Sequence, residues 1–134
     1  KAAAIGSPGG WPIAPVPIFN GEQLNYPAGI ADLESLTGIP FDSDSYNAIP
    51  QLIYMGSADD NDSLEFTDGW DEADAQLVDN LFGADPLSRW NDAQEIYLNT
   101  GANVQFLLMD GIGHDRKDLQ KYSTEFFKKV LDNQ

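Results

Sequence analysis

Two segments of the sequence end in residues that can carry acid–base chemistry. The first, PQLIYMGSAD at 50–59, is an apolar stretch followed by a glycine and an acid, Asp59. The second, VQFLLMDGIGH at 104–114, ends in His114, the only histidine of the chain. If both apolar stretches are parallel strands, Asp59 and His114 leave their carboxyl ends at the same edge of a sheet, where open α/β sheets place their sites. We therefore expect the two side chains to meet at that edge.

His114 is the candidate general acid and base. An imidazole titrates near neutral pH, so it can accept a proton from a nucleophile and return it to a leaving group. We expect the glycine-rich turn before it, at Gly111 and Gly113, to bend the backbone and place the ring on the sheet edge. A carboxylate at Asp59 would hold one tautomer of the ring and stabilise the imidazolium. These residues make two thirds of a catalytic triad.

The identity of the triad acid stays open at this point. Asp60 and Asp62 follow Asp59 so closely that a shift of register would exchange them. Asp115 adjoins the histidine, but neighbouring residues rarely pair face to face.

The acidic loop at 59–65 also suggests a calcium site. An EF-hand needs glycine at the sixth position and Glu at the twelfth, and neither is found when counting from Asp59 or from Asp60. Zinc is disfavoured because the chain has no cysteine and no second histidine. We predict no metal and no cofactor, and keep as the alternative function a non-catalytic, acidic, calcium-binding module.

The charge of the chain excludes some partners. It carries 22 acidic residues against 7 lysines and arginines, a net charge of −15. Nucleic acids and anionic membranes need basic patches, so neither is an expected partner. No apolar run approaches the length of a membrane span. The absence of cysteine leaves the compartment open, with secretion slightly favoured over the cytoplasm.

The hydrophobic pattern predicts one α/β domain over 1–134, with a parallel sheet covered by helices. Residues 10–48 have little periodicity and are predicted to form a cap-like or irregular insertion, with a short helix at 31–38 closed by Gly38. Residues 49–134 should hold the acid and histidine strands with their helices. The predicted strands are 2–5, 51–55 and 104–109, and the predicted helices are 72–82, 86–99 and 119–131. An apolar stripe on the last helix, with Leu119, Tyr122, Phe126, Phe127 and Val130, is predicted to be core.

Trp11 and Pro12 are the candidate substrate-binding residues. They follow a Gly-Gly turn after the first predicted strand, so they could line a pocket at the same edge, together with Phe19 and Tyr26. The alternative is that these aromatic residues pack the insertion onto the core.

A nucleophile is missing from the pattern. The strand-to-helix elbow G-x-S-x-G does not occur in the sequence. The segment GSPGG at 6–10 has the wrong spacing, and a proline follows its serine.

These motifs in this order resemble the C-terminal half of an α/β-hydrolase, of the serine esterase or polyester depolymerase type. In that family the acid follows a late strand in a P-x-L-x-x-x-G-x-x-D pattern, which residues 50–59 match. The histidine follows the last strand in a G-x-G-H turn, which residues 111–114 match, and a helix closes the fold. The resemblance implies a partial α/β-hydrolase fold with three parallel strands, and a carboxylic ester, small or polymeric, as substrate.

The resemblance also implies what the chain lacks. The elbow serine and the usual oxyanion-hole donors belong to the other half of that fold, so this chain alone is expected to be inactive. The missing N-terminal half, or a partner chain, would supply them. The sequence opens without Met on a predicted strand, as the middle of a longer protein would. A third interpretation is a half-fold that pairs through its exposed first strand with a second copy or another chain.

Overall fold

The computed structural model describes residues 1–7, 14–62, 64 and 70–132. In chain order the elements are β1 Ala3–Gly6, β2 Ile18–Phe19, β3 Glu22–Gln23, α1 Leu33–Thr37, α2 Ser43–Asn47, β4 Gln51–Gly56, α3 Glu72–Phe82, α4 Pro86–Asn99, β5 Val104–Met109 and α5 Arg116–Asp132. Helices separate the strands β1, β4 and β5, as expected for an α/β protein.

The main sheet has the order β1-β4-β5, and both of its pairings are parallel. All six residues of the central strand β4 are buried, as expected for a strand with helices on both faces. Gly56, the last residue of β4, lies opposite Met109, the last residue of β5. The two strands therefore end together, and the prediction of a parallel sheet with a shared carboxyl edge is confirmed.

Alternate residues of β4 build the two faces of the sheet, since successive side chains point to opposite sides. On one face Leu52 and Tyr54 are buried in a cluster with Leu119 and Phe126 of α5. On the other face Ile53 and Met55 pack in a cluster with two aromatic residues of α4, Trp90 and Tyr97. The sheet thus lies between α5 and α4.

The segment from 14 to 48 is more regular than the sequence suggested. It contains the two-stranded hairpin β2–β3 and the short helices α1 and α2. Gly38, with a φ of 73°, ends α1 in the left-handed conformation, as predicted. Three buried residues of this segment pack against the inner faces of α3 and α4: Ala14, Leu24 and Ala28. This part of the insertion therefore extends the core beyond α4, on the side of the sheet opposite α5.

The helix α5 begins three residues earlier than predicted. The carboxylate of Asp115 accepts a hydrogen bond from the backbone N–H of Lys117 at 2.7 Å, which caps the first turn. Leu119 and Phe126 are buried, but Phe127 is 40% exposed, so its assignment to the core was wrong. Each residue turns about 100° around a helix, and Phe127 therefore leaves the face that Phe126 occupies.

In the part of the chain that the structure describes, every helix is too short or too polar to span a bilayer.

Candidate functional site

The structure brings Asp59 and His114 together at the carboxyl edge of the sheet. The imidazole Nδ1 lies 3.1 Å from Oδ2 and 3.2 Å from Oδ1 of the carboxylate. The side chain of Asp59 is only 4% exposed, whereas that of His114 is 49% exposed. An ionised carboxylate can only accept hydrogen bonds, so Nδ1 is the donor and Nε2 of the neutral ring is left as an acceptor. The pair therefore has a buried acid and an accessible base.

Hydrogen bonds tie the loop after β4 to the end of β5 and to the loop that follows it. The backbone N–H of Ser57 donates to the carbonyl of Met109 at 2.8 Å, and that of Ala58 donates to the carbonyl of Ile112 at 2.9 Å. The hydroxyl oxygen of Ser57 accepts from the backbone N–H of Gly111 at 2.9 Å. The acid and the histidine therefore sit on loops whose relative position is fixed by the backbone.

Glycine is required where these loops touch. A Cβ placed on Gly56 would lie 1.9 Å from the carbonyl oxygen of Ile112, so the histidine loop passes directly over this residue. Gly111 has a φ of +69°, in the left-handed region that favours glycine. Gly113 has no left-handed φ, and a Cβ on it would meet only the carbonyl of Ala58 at 3.6 Å. The predicted turn therefore has its left-handed residue at Gly111 and not at Gly113.

The three candidate acids have different surroundings. Asp59 contacts His114, and its Oδ1 also accepts the backbone N–H of Asn61 at 3.1 Å. Asp60 is exposed. Asp62 has both carboxylate oxygens bound by Arg89, at 2.8 and 2.9 Å. Asp59 is therefore the acid that the geometry pairs with the histidine.

Arg89 is a residue near the site that the sequence analysis missed. It is 1% exposed, and its Nη2 donates to Asp79 at 2.7 Å. The sequence does indicate that Arg89 is buried, because Arg89, Ala93 and Ile96 have the spacing of residues on one buried face of a helix. An arginine on such a face needs carboxylate partners, since an unpaired buried charge is strongly destabilising.

A cavity of about 410 Å³ borders the exposed ring of His114, between the end of β1 and α5. Ser7 and Ser123 also line it. The Ser123 hydroxyl donates to the carbonyl of Gln120 at 2.9 Å. Ser7 has a φ of 41°, and its Oγ is buried with no hydrogen-bond partner. Among the described residues, no serine hydroxyl is hydrogen-bonded to Nε2 of the imidazole.

The prediction that Trp11 and Pro12 bind substrate is not tested by the described part of the chain. Trp11 and Pro12 lie outside the described residues. Phe19 stacks on Phe82 of α3 with 4.9 Å between ring centroids, so it packs the insertion onto the core. Tyr26 is 51% exposed.

The described part of the acidic loop does not converge on a metal position. Asp59 is engaged by His114, and Asp62 is engaged by Arg89. Among the described residues, no group of three or more histidine or acidic side chains is arranged to hold an ion.

The fold and the site together define an α/β protein with an acid–histidine pair at the carboxyl edge of its parallel sheet. Comparison of the chain with protein-family models, with curated proteins and with solved structures found no match.

Proposed function

We propose that this chain is the acid-and-histidine part of a serine hydrolase that cleaves carboxylic esters. The observation that carries the proposal is the contact of Nδ1 of His114 with the buried carboxylate of Asp59, at 3.1 Å. The motifs around both residues resemble those of the C-terminal half of an α/β-hydrolase, in the same chain order.

The proposed mechanism uses His114 twice. Its Nε2 accepts the proton of a serine hydroxyl while the serine oxygen attacks the ester carbonyl. The imidazolium then gives this proton to the departing alcohol, and an acyl-enzyme remains. A water molecule releases the acid by the same route, and the serine regains its proton. Asp59 holds the tautomer and stabilises the imidazolium in both steps.

We further propose that the nucleophilic serine lies outside this chain. The sequence has no G-x-S-x-G elbow, and among the described residues no serine hydroxyl, including those of Ser7 and Ser123 beside the cavity, is hydrogen-bonded to Nε2 of His114. The cavity beside His114 opens between the end of β1 and α5, where a further element could bring a serine to Nε2. Among the described strands, β1 pairs with β4 alone, so its other edge is available to the rest of a hydrolase sheet or to a partner chain.

The test is ester hydrolysis by the polypeptide or complex that contains this chain together with a G-x-S-x-G segment. With p-nitrophenyl butyrate as substrate, we expect His114→Ala to lower kcat by ~10⁴-fold or more, because the general base is lost. Asp59→Asn should lower kcat by ~10⁴-fold, since an amide does not hold the required tautomer.

The matched control is Asp60→Asn, which changes the exposed neighbouring acid and should leave kcat unchanged. Labelling with a fluorophosphonate identifies the serine by mass spectrometry, and the labelling should require His114. Full turnover with alanine at position 114, or an assembled protein that hydrolyses no ester, would overturn the proposal.

A further inference from the structure

A buried guanidinium anchors the loop that carries the acid. Nη1 of Arg89 donates to both oxygens of Asp62, at 2.8 and 2.9 Å. Asp62 is three residues after Asp59, and its side chain is only 14% exposed. Its Oδ1 also accepts the backbone N–H of Leu64 at 3.0 Å. The acid loop, the segment 57–71 between β4 and α3, is therefore fixed at Asp62 to a helix of the core by charge-assisted bonds, which are stronger than neutral ones.

Arg89 is itself held from two other directions. Its Nε donates to the carbonyl of Gly83, just after α3, at 2.7 Å. Its Nη2 donates to Asp79 of α3 at 2.7 Å. It also lies in the first turn of α4, and its own N–H donates to the carbonyl of Asp85 at 3.2 Å. The guanidinium is thus positioned by α3 and α4, so the loop is attached to a rigid support.

We infer that Arg89 and Asp62 are positioning residues for the Asp59–His114 pair. This inference rests on the proposed function for its catalytic meaning. The acid loop is fixed at its start by the hydrogen bonds of Ser57 and Ala58 to the histidine loop, and again at Asp62 by Arg89. Between these points the carboxylate of Asp59 turns back to the N–H of Asn61 and to His114. Loss of the contact between Asp62 and Arg89 therefore allows Asp59 to move away from the imidazole.

The two carboxylates on Arg89 supply a matched pair of variants. Asp62→Asn removes the carboxylate that lies in the acid loop, whereas Asp79→Asn removes the one on α3, which is 45% exposed. A role for Arg89 in stability alone predicts that both variants lower the melting temperature and that neither changes the imidazole. A positioning role predicts that only Asp62→Asn changes it.

The readout is the tautomer of His114, measured in this chain from the ¹⁵N shifts of the ring at alkaline pH. The chain has one histidine, so one pair of ring nitrogens is observed. We expect the Nδ1–H form in the unmodified chain and in Asp79→Asn, because Asp59 accepts that proton. Asp62→Asn should show a mixture of both tautomers, as an unconstrained imidazole does.

Arg89→Lys is the second variant, and it keeps the positive charge without the two-pronged donor. It should fold and show a mixture of both tautomers of His114. If Asp62→Asn does not fold, this variant tests the positioning role instead. An unchanged Nδ1–H form in either folded variant, or the same change in Asp79→Asn, would overturn the inference.

These measurements need no ester and are therefore independent of the proposed function. A protein that hydrolyses no ester would sink the hydrolase proposal and leave the tautomer result interpretable. In an active assembled enzyme, Asp62→Asn should lower kcat by up to ~10²-fold with little change in KM, as expected for a misplaced catalytic group.

Discussion

Asp59, Asp60 and Asp62 have chemically identical side chains and differ only in their surroundings. One is buried against the imidazole, one is exposed, and one is bound by a buried guanidinium. The spacing of the two strands was enough to predict that an acid and His114 share a sheet edge. It did not choose among the acids, because loop residues have no fixed period of side-chain direction. Asp62 is bound by Arg89, which is 27 residues away from it in the chain, so local sequence could not separate it from Asp59.

Glycine 56 provides a test of the packing between the two loops. We expect Gly56→Ala to lower the free energy of unfolding by about 1–3 kcal/mol, because its Cβ would collide with the carbonyl of Ile112. The measurement is urea denaturation of the chain. The tautomer of His114 should change as well, since the histidine loop has to move away.

Glycine 113 is the matched control for this substitution. An alanine there meets the carbonyl of Ala58 at an ordinary 3.6 Å and needs no left-handed φ, so stability should change by no more than about 0.5 kcal/mol. Equal losses from the two alanines would contradict the close approach at Gly56.

At the scale of elements, hydrophobic pattern and capping residues predicted most of the sheet and its helices. The bounds of α3, α4 and β5 were predicted without error, because long periodic stretches lie between clear start and stop signals. The hairpin β2–β3 and the helix α2 were not predicted. These elements are too short to show a period, and α2, unlike α1, has no glycine stop signal. In the structure Phe19 of β2 stacks on Phe82 of α3, and Tyr46 of α2 contacts Tyr97 of α4.

The cap of α4 makes a prediction about pH. The carboxylate of Asp85 accepts from the hydroxyl and the backbone N–H of Ser88 and from the backbone N–H of Leu87. These hydrogen bonds, the hydroxyl first, hold the pKa of Asp85 below its usual value of 3.8. A lowered pKa stabilises the folded state above 3.8, and this contribution is lost as the pH falls through the folded-state pKa.

The variant Asp85→Asn keeps the cap but removes its charge. At neutral pH it should be less stable than the unmodified chain by about 0.3–1 kcal/mol, because the carboxylate also interacts with the helix dipole. Urea titrations at successive pH values should show this difference constant near neutral pH and narrowing as the pH falls towards 3.8 and below it. A difference that stays constant or widens under acid would contradict the assignment.

At the scale of the whole molecule, the net charge of −15 opposes folding through self-repulsion. Salt screens this repulsion, since the Debye length falls from about 30 Å at 0.01 M to about 10 Å at 0.1 M ionic strength. We therefore expect the urea midpoint of the chain to rise between these two conditions. The buried pair of Arg89 with Asp62 should be screened much less than the surface.

A triple variant controls for other effects of salt. Glu22→Gln, Glu34→Gln and Asp44→Asn change three exposed acids, and the variant should show a smaller rise than the unmodified chain. A midpoint that falls with salt would mean that attractive surface pairs outweigh the repulsion.

The hydrogen bonds between the two loops that carry Asp59 and His114 involve only residues that follow β4 in the chain. These bonds join residues between positions 57 and 112, so the two loops that carry Asp59 and His114 are tied together within one continuous stretch of chain. Recombination that replaces the sequence before β4 would leave this stretch intact. Under the proposed hydrolase function, a new segment before β4 would change the nucleophile and the substrate preference and leave the Asp59–His114 pair unchanged.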